Sequence, residues 1–422
     1  MVVCQAMSEP PTTAVHLDTD EVDLVFKGET QRLPCVIVLE TDPRPRLSLK
    51  VTMTSPWMAW ALPQLPPIHI VHADITCEAF ITHINGETIG LSPAREPIAV
   101  GRSQALTEVH FDLINFPSFC VLAGQSPRLP DDQLDIEAEG WHIEIRPTRK
   151  SSDLEAFRAR IYSVTHSCTI RKSDNATFSS GSAQNLLDVI HDAMSFAAGQ
   201  WVAPVFVHGF ESDKQITWKE WGTRPLHPNL GRIETWFDTH HANTLAEILP
   251  GALELRKDAE RTETFHSALY WYLRSTSTAA GVDGGTILLQ AALERLSWQL
   301  FVGDRKALSG EGFKRLHADD QLRILIEGCG IPTGIPPGLS DITSKAKELN
   351  WSDGPEALAA VRNQLVHPSK RKRFPYYDTW RLAKWYVELV LLRMLSFTGE
   401  YSDRTKAQRW VGAVDRVPWA KL

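Results

Sequence analysis

The chain has 422 residues, a net charge of −7 and a hydrophobic fraction of 43%. This length exceeds one typical core, so two or three domains are expected, and the acidic balance excludes a uniformly basic nucleic-acid coat. The sequence contains no apolar run of the roughly 20 residues that span a bilayer, and residues 1–11 lack the segments of a signal peptide. The six cysteines are scattered without a C-x-x-C pair. We therefore expect a reducing, cytoplasmic location and no membrane contact.

Short segments rich in β-branched residues follow one another from about residue 22 to residue 172. Proline, glycine, asparagine and aspartate separate them, which is typical of strands and turns. The clearest segments are 35–39, 46–51, 68–71, 141–145 and 159–164. They predict a β-rich domain over residues 1–178 that is sandwich-like or barrel-like.

Residues 179–238 mix helical and strand-like patterns. Residues 182–196 place four apolar side chains on one helical face: Leu186, Leu187, Ile190 and Met194. A strand-like stretch follows at 205–207. We expect a mixed α/β bridging segment that packs on the first domain or completes it.

The chain becomes helical from residue 239. Five helices with apolar faces are predicted at 254–274, 281–302, 311–327, 354–366 and 378–397. A loop rich in glycine and proline separates the third from the fourth at 331–339. The sequence thus predicts an α+β multidomain chain in which residues 239–400 form an all-α bundle. Residues 401–422 form a C-terminal tail that includes Trp410 and Trp419, and we expect this tail to pack back on the body of the protein.

The fourth predicted helix ends on a motif whose residue types are suited to catalysis. It is formed by Arg362, Asn363 and His367 and is followed by Pro368. Arginine carries a planar positive charge that can grip a phosphate through two hydrogen bonds, and histidine can move a proton near neutral pH. Proline disfavours helical geometry at the residue before it. This combination suits cleavage of RNA without a metal, in which the ribose 2′-OH attacks the neighbouring phosphorus.

The geometry of a straight helix opposes a shared site for both side chains. Five positions separate Arg362 from His367 by about 140° around the axis. The helix can fray at His367, or two chains can pair and share a cleft. Asn363 lies four positions before His367 and could orient its imidazole. The alternative is a solvated cation pair that the helix dipole favours at a carboxyl terminus.

The helical half resembles the HEPN superfamily, compact helical domains whose ribonuclease members carry an R-x(4–6)-H motif, commonly R-N-x-x-x-H. Residues 361–368 fit that form, at the end of a late helix with one long helix after it. The resemblance covers roughly residues 240–400. It implies a metal-independent endoribonuclease in which Arg362 stabilises phosphate charge, His367 transfers protons and Asn363 orients His367. It also implies a homodimer in which two motifs face each other across the interface.

The stretch 178–201 adds a resemblance to bacterial ApeA-like proteins, in which a β-rich region precedes a HEPN domain. This resemblance rests on residues 178–180, the helix after them and residues 195–201. It implies a role in abortive defence against phage. We further expect that the N-terminal region acts as a switch that responds to a phage-derived trigger.

Other residues suggest secondary roles. Lys370, Arg371, Lys372 and Arg373 follow the motif and form either a grip on the RNA backbone or a solvated basic loop. Glu294 either holds Arg362 or is a surface carboxylate. The pairs His240–His241 and His69/His72 lack the partners of a metal site, so neither a metal nor a cofactor is expected.

Two other functions remain compatible with the sequence. The first is a non-catalytic HEPN-type module that dimerises or binds nucleic acid. The second is a β-sandwich protein that binds a ligand such as a carbohydrate and dimerises through its helices. The class of RNA and the activating signal stay open at this point.

Overall fold

The computed structural model describes most of the chain. The described residues are 14–26, 29–40, 44–53, 68–72, 75–119, 133–148, 162–228, 233–277, 280–367, 374–406, 410 and 412–421. None of the helices in these ranges combines the length and the apolar character needed to cross a membrane.

The first six strands close into a barrel. They are β1 (Ala14–Phe26), β2 (Glu29–Glu40), β3 (Arg46–Thr52), β4 (Ile68–His72), β5 (Ile75–Asn85) and β6 (Thr88–Pro93). Their order is β1-β2-β3-β6-β5-β4, and the ring closes where Leu24 of β1 lies opposite Ile70 of β4. Alternate side chains such as Leu33, Ile37 and Leu49 fill the interior. The predicted β-rich region is therefore present. Its first part is a barrel rather than the sandwich-like arrangement, because pairing of β1 with β4 removes the free edges.

The next strands build a seven-stranded antiparallel sheet. They are β7 (Ile98–Val100), β8 (Glu108–Ile114), β9 (Leu134–Ala138), β10 (Trp141–Pro147), β11 (Val164–Lys172), β12 (Ala203–Phe210) and β13 (Ile216–Trp221). The order is β7-β13-β12-β8-β11-β10-β9. Strand β12 thus inserts beside β8, and the two strands of the predicted bridging segment complete this sheet. The predicted strand at 159–164 lies partly outside the described residues, and β11 begins only at Val164.

Helix α1 (Ser180–Ala198) lies between β11 and β12 in the chain and covers one face of the sheet. The Ser179 hydroxyl accepts a hydrogen bond from the amide of Ser182 at its start. Gly199 ends it with φ 69°, and a Cβ there would lie 2.5 Å from Thr235 Cγ2. The predicted apolar face of the helix is fully buried in a core that also contains sheet residues and residues of the later helices.

The second half is helical, as predicted. The helices are α2 (Thr244–Leu255), α3 (Ala259–Ser275), α4 (Gly281–Trp298), α5 (Gly310–Lys314), α6 (Ala318–Gly328), α7 (Ser340–Leu349), α8 (Gly354–Val366) and α9 (Tyr376–Met394). A π-helix at Gln299–Asp304 continues α4. Helix α7 was not predicted, because its first amides, those of Asp341 and Ile342, donate to the Asp378 carboxylate from α9. This capping partner is distant in sequence and leaves no local signal.

Two carboxylates of α1 connect it to the helices. Asp188 accepts hydrogen bonds from Arg224 at 2.8 Å and from Arg256 at 2.9 Å. Asp192 lies 2.5 Å from Nε2 of His266. Burial alone would raise the pKa of Asp192, but hydrogen bonds with His191 and His266 lower it to about 2. The sheet layer and the helical layer are therefore joined by charge as well as by a common core.

The C-terminal tail packs on the helical layer through polar anchors. The Arg404 guanidinium donates to both carboxylate oxygens of Glu388, at 2.7 and 2.6 Å. The Trp419 indole donates to the Phe397 carbonyl at 2.7 Å and is 5% exposed. Trp410 is 85% exposed, so the two predicted tail tryptophans differ in role.

Candidate functional site

Helix α8, which carries the Arg362–His367 motif, is firmly anchored at its amino end. The Asp353 carboxylate accepts from the amide of Glu356 at 2.9 Å and from Arg323 Nε at 2.6 Å. Gly354 permits close approach of α9, since a Cβ there would lie 2.3 Å from the Tyr386 hydroxyl. The start of α8 is thus held by two neighbouring helices, and this fixes the direction in which its other end points.

The carboxyl end of α8 releases His367 from helical geometry. The His367 amide still donates to the Asn363 carbonyl at 2.8 Å, as in a helix. Its own φ of −124° and ψ of 74° lie outside the helical region. The helix therefore ends at Val366, two residues before Pro368, and the His367 side chain does not follow the helical spacing of about 140° from Arg362.

The two motif side chains have few competing partners. His367 is exposed, and its imidazole makes no hydrogen bond to any residue that the structure describes. Arg362 is half-buried and donates from Nη1 to Asn363 Oδ1 at 3.3 Å. Within the same described ranges it forms no ion pair. Within the part of the chain that the structure describes, the guanidinium and the imidazole thus leave most of their hydrogen-bonding capacity unused.

The remaining predicted site residues differ in placement. Asn363 contacts Arg362 rather than the His367 ring, so its orienting role stays a prediction. Glu294 is half-buried on α4 and accepts from Gln290 at 3.1 Å, and it forms no described ion pair with Arg362. The predicted RNA-binding residues at 370–373 lie outside the described residues.

One group of potential metal ligands, which the sequence reading missed, lies on the seven-stranded sheet. Donor atoms of Asp135, His142 and Glu144 lie within 4.8 Å of one another. Asp135 is opposite Glu144 in the β9–β10 register. His142 and Glu144 are two positions apart on β10, so their side chains lie on the same face of the sheet, and this alternation is the sequence pattern that could have indicated the group. These groups already have protein partners, because Arg146 pairs with Glu144 and Glu137 lies 2.5 Å from His142 Nδ1.

The neighbouring histidines His240 and His241 lie in a segment that contacts the C-terminal tail. Asp238 accepts the backbone amides of His240 and Gly412, at 2.8 and 3.0 Å. The His241 imidazole contacts the Gly412 carbonyl at 3.0 Å. These contacts give the segment a structural role in holding the tail.

A buried charged cluster in the helical layer was also missed by the sequence reading. Lys384, Glu388 and Arg404 are each no more than 5% exposed. Lys384 donates to the Glu234 carbonyl at 2.8 Å, and Tyr272 donates to Glu388 at 2.5 Å. Burial holds the pKa of Lys384 well below its usual range. The cluster joins α9, α3 and the tail. Its polar groups hydrogen-bond to one another and to the backbone, which indicates a structural role.

The residues behind the ApeA-like resemblance have structural roles that the contacts explain. Ser195 accepts from the Val202 amide at 3.0 Å, and Gln200 donates to the Asn115 carbonyl at 3.3 Å. Trp201 stacks on His191 with ring centroids 5.0 Å apart. Together these contacts fix the turn between α1 and β12.

Comparison with known proteins relates two parts of the chain to described families. Residues 101–230, which hold six strands of the seven-stranded sheet (β8 to β13) and α1, match the model of the YopA central domain. Residues 258–416, which hold α3 to α9 and part of the tail, match the YopA C-terminal domain. Neither description names the HEPN superfamily, so that resemblance stays a prediction.

A curated relative agrees with these matches. The SPbeta prophage-derived uncharacterized protein YopA of Bacillus subtilis (strain 168) is 27% identical over 263 residues. The alignment covers 61% of this chain and 58% of the relative, so the chain spans somewhat more than half of that protein's length. No solved structure matches the chain. Its central and C-terminal parts are therefore similar to YopA domains.

Proposed function

We propose that the protein is a metal-independent endoribonuclease of HEPN type. The observation that carries this proposal is the end of α8, which bears both Arg362, which forms no ion pair with the described residues, and the exposed His367. These are the two group types that RNA transesterification requires, one for charge and one for proton transfer.

The proposed reaction uses the substrate's own nucleophile. The 2′-oxygen forms a bond to phosphorus as its proton leaves, and the bond from phosphorus to the 5′-oxygen breaks as that oxygen gains a proton. The products are a 2′,3′-cyclic phosphate and a 5′-OH. His367 transfers a proton, and Arg362 stabilises the negative charge on the phosphoryl oxygens.

A composite site in a homodimer would supply the second proton-transfer group. One His367 can serve as base or as acid within a single step, and two copies allow both roles at once. Val366, which is 41% exposed, and the half-buried Leu365 lie beside the motif and would be covered in such a pair. Sedimentation should show a dimer, and a strict monomer that still cleaves RNA would exclude the shared site.

The basic residues 370–373 fit the same proposal as a grip on the RNA backbone. Neutralising all four should weaken RNA binding and flatten its dependence on salt. An unchanged salt slope would assign them to a solvated loop.

We place this activity in the cytoplasm and in defence against phage. The relative's description as prophage-derived supports a link to phage biology. Unrestrained RNA cleavage would harm the cell, so the N-terminal region is proposed to restrain it until a phage-derived trigger binds. Loss of phage protection in an Arg362→Ala strain, with normal protein levels, is the expected result.

The decisive experiment is RNA cleavage by the purified protein in EDTA. The variants are Arg362→Ala and His367→Ala, and the matched controls are Arg315→Ala and His317→Ala, whose exposed side chains have no partner among the described residues. We expect the wild type and both controls to leave 2′,3′-cyclic ends, and both motif variants to lose about 100-fold or more in rate.

Two outcomes would contradict the proposal. Cleavage that persists in both motif variants would place the activity elsewhere or in a contaminant. If no form cleaves RNA, even with extract from phage-infected cells, the non-catalytic binding module is the better description.

A further inference from the structure

A cavity of about 150 Å³ lies at the carboxyl end of α9, where α3, α4, the π-helix and α6 meet. Apolar side chains form part of its lining: Leu296, Leu325, Val390 and Met394. Three arginines and one aspartate also line it, namely Arg261, Arg305, Arg393 and Asp304. We call it the arginine cavity. It shares no residue with the α8 motif.

Much of the hydrogen-bonding capacity of these arginines is unused. Arg261 Nε is buried without a hydrogen bond, and the nearest carboxylate oxygen, Asp304 Oδ2, is 3.5 Å away. Arg393 lies over the Trp419 ring at 5.5 Å and makes no hydrogen bond or ion pair within the described chain. Arg305 donates from Nη2 to the Gly328 carbonyl at 2.8 Å. Each guanidinium has five N–H donors, so most of them are free for a ligand.

Two of the arginines, Arg305 and Arg393, line the cavity together with Cys329. Burial raises the pKa of the Cys329 thiol to about 11, while the charges of Arg305 and Arg393 act in the opposite direction. Arg305 comes from the end of the π-helix and Arg393 from α9, so the tertiary fold brings them together.

The π-helix holds the acidic side of the cavity in place. Gln299 donates to Asp304 Oδ1 at 2.8 Å and accepts from the Thr264 hydroxyl at 3.0 Å. Gly303 leaves room for this contact, because a Cβ there would lie 2.8 Å from Gln299 Nε2. Asp304 is thereby fixed beside Arg261. Wide turns of this kind often occur at functional sites.

We propose that the arginine cavity binds a small phosphomonoester dianion whose organic part is apolar or aromatic. Three positive charges and one negative charge leave an excess of two, which matches the dianion. Planar guanidiniums suit phosphate oxygens, and the apolar lining suits a ring or a short hydrocarbon. This site is separate from the proposed ribonuclease chemistry and goes beyond it.

The test is calorimetric titration of the full chain with phenyl phosphate, and separately with inorganic phosphate and with phenol. We expect phenyl phosphate to bind at least about tenfold more tightly than inorganic phosphate, because its ring is buried on the apolar lining. Arg305→Gln and Arg393→Gln should each weaken phenyl phosphate about tenfold or more. The control Arg315→Gln removes the same charge from a side chain that is exposed, as Arg305 and Arg393 are, but lies outside the cavity lining, and it should leave the affinity unchanged.

Several results would overturn the proposal. The first is a dissociation constant of the wild type for phenyl phosphate above about 10 mM. The second is an equal affinity for phenyl phosphate in the wild type, both glutamine variants and the Arg315→Gln control. The third is an equal affinity of the wild type for phenyl phosphate and inorganic phosphate. If a glutamine variant unfolds at a lower temperature than the wild type, Arg305→Lys and Arg393→Lys replace it, and unchanged affinity in both lysine variants counts against recognition by the planar guanidinium. RNA cleavage is not a readout here, so failure of this site leaves the proposal for Arg362 and His367 standing.

Discussion

At the scale of single residues, the α8 motif depends on the difference between arginine and lysine. Among the described residues, Arg362 makes one side-chain hydrogen bond, a long contact of 3.3 Å to Asn363, and its planar fork suits two phosphate oxygens. A lysine keeps the charge but presents a point donor on a flexible stem. The proposed mechanism therefore requires shape as well as charge at this position.

Arg362→Lys should lower the rate of RNA cleavage by about tenfold or more, because one of two parallel hydrogen bonds is lost in the transition state. The measurement is single-turnover cleavage with saturating RNA, beside Arg315→Lys as the matched control. An undiminished rate in Arg362→Lys would mean that charge alone suffices.

The buried Arg404–Glu388 pair allows a second prediction at this scale. Arg404→Ala should lower the free energy of unfolding by about 3–5 kcal/mol, because it leaves the Glu388 carboxylate buried without its partner. Denaturant unfolding measures this loss. Lys406→Ala removes one partner of an exposed pair with Asp415, and its cost should be about 0–1 kcal/mol. Similar losses of unfolding free energy in both variants would show that the buried pair contributes no more than the exposed pair.

At the scale of elements, α1 is connected to the helices through the carboxylates Asp188 and Asp192, and the pKa of Asp192 is lowered by its contacts with His191 and His266. A carboxyl group whose pKa is lower in the folded than in the unfolded chain stabilises the fold above its unfolded value. That stabilisation is lost as the pH falls through the folded value. For Asp192 the window runs from about 3.8 down to about 2.

Asp192→Asn should cost about 2 kcal/mol at pH 6, and the difference from wild type should fall to about half of that by pH 3. Urea unfolding across this range measures both effects. Asp283→Asn, an exposed change on α4, should shift the free energy by less than about 0.5 kcal/mol. A pH-independent difference for Asp192→Asn would show that the carboxyl loses packing rather than charge.

At the scale of the whole molecule, two hydrophobic cores divide the chain unevenly. One fills the barrel and includes Ile98, Val100 and Trp221 from the edge of the seven-stranded sheet. The other runs without interruption from the sheet through α1 into the helical layer and the tail. The β-rich region is therefore not one detachable part, because its second sheet shares the core of the helices.

Removing residues 1–94 should leave a protein that unfolds cooperatively, since the larger core stays whole. Removing residues 1–235 should give an aggregating product, because it strips the sheet and α1 from that core. Circular dichroism and size-exclusion chromatography distinguish the two. The shorter deletion exposes Ile98, Val100 and Trp221, so some self-association is expected at high concentration. A folded product of the longer deletion would refute a shared core.

Much of the secondary structure was readable from local pattern. The apolar face of α1, with Leu186 and Ile190, follows from helical spacing, and the structure confirms it. The limits of α8 were also predictable, since Asp353 and Pro355 begin it and Pro368 follows it. Helix α7 was not, because its cap comes from Asp378 on another helix.

The sequence by itself determined the order of a β-rich and a helical region, and the position of Arg362 and His367 at a helix end, because hydrophobic period and proline act over a few residues. Only the tertiary structure decided that β1 pairs with β4 and that β12 inserts beside β8. It alone brought Arg261, Arg305 and Arg393 to one cavity. Contacts between residues far apart in the chain depend on how whole layers pack, so local sequence patterns do not indicate them.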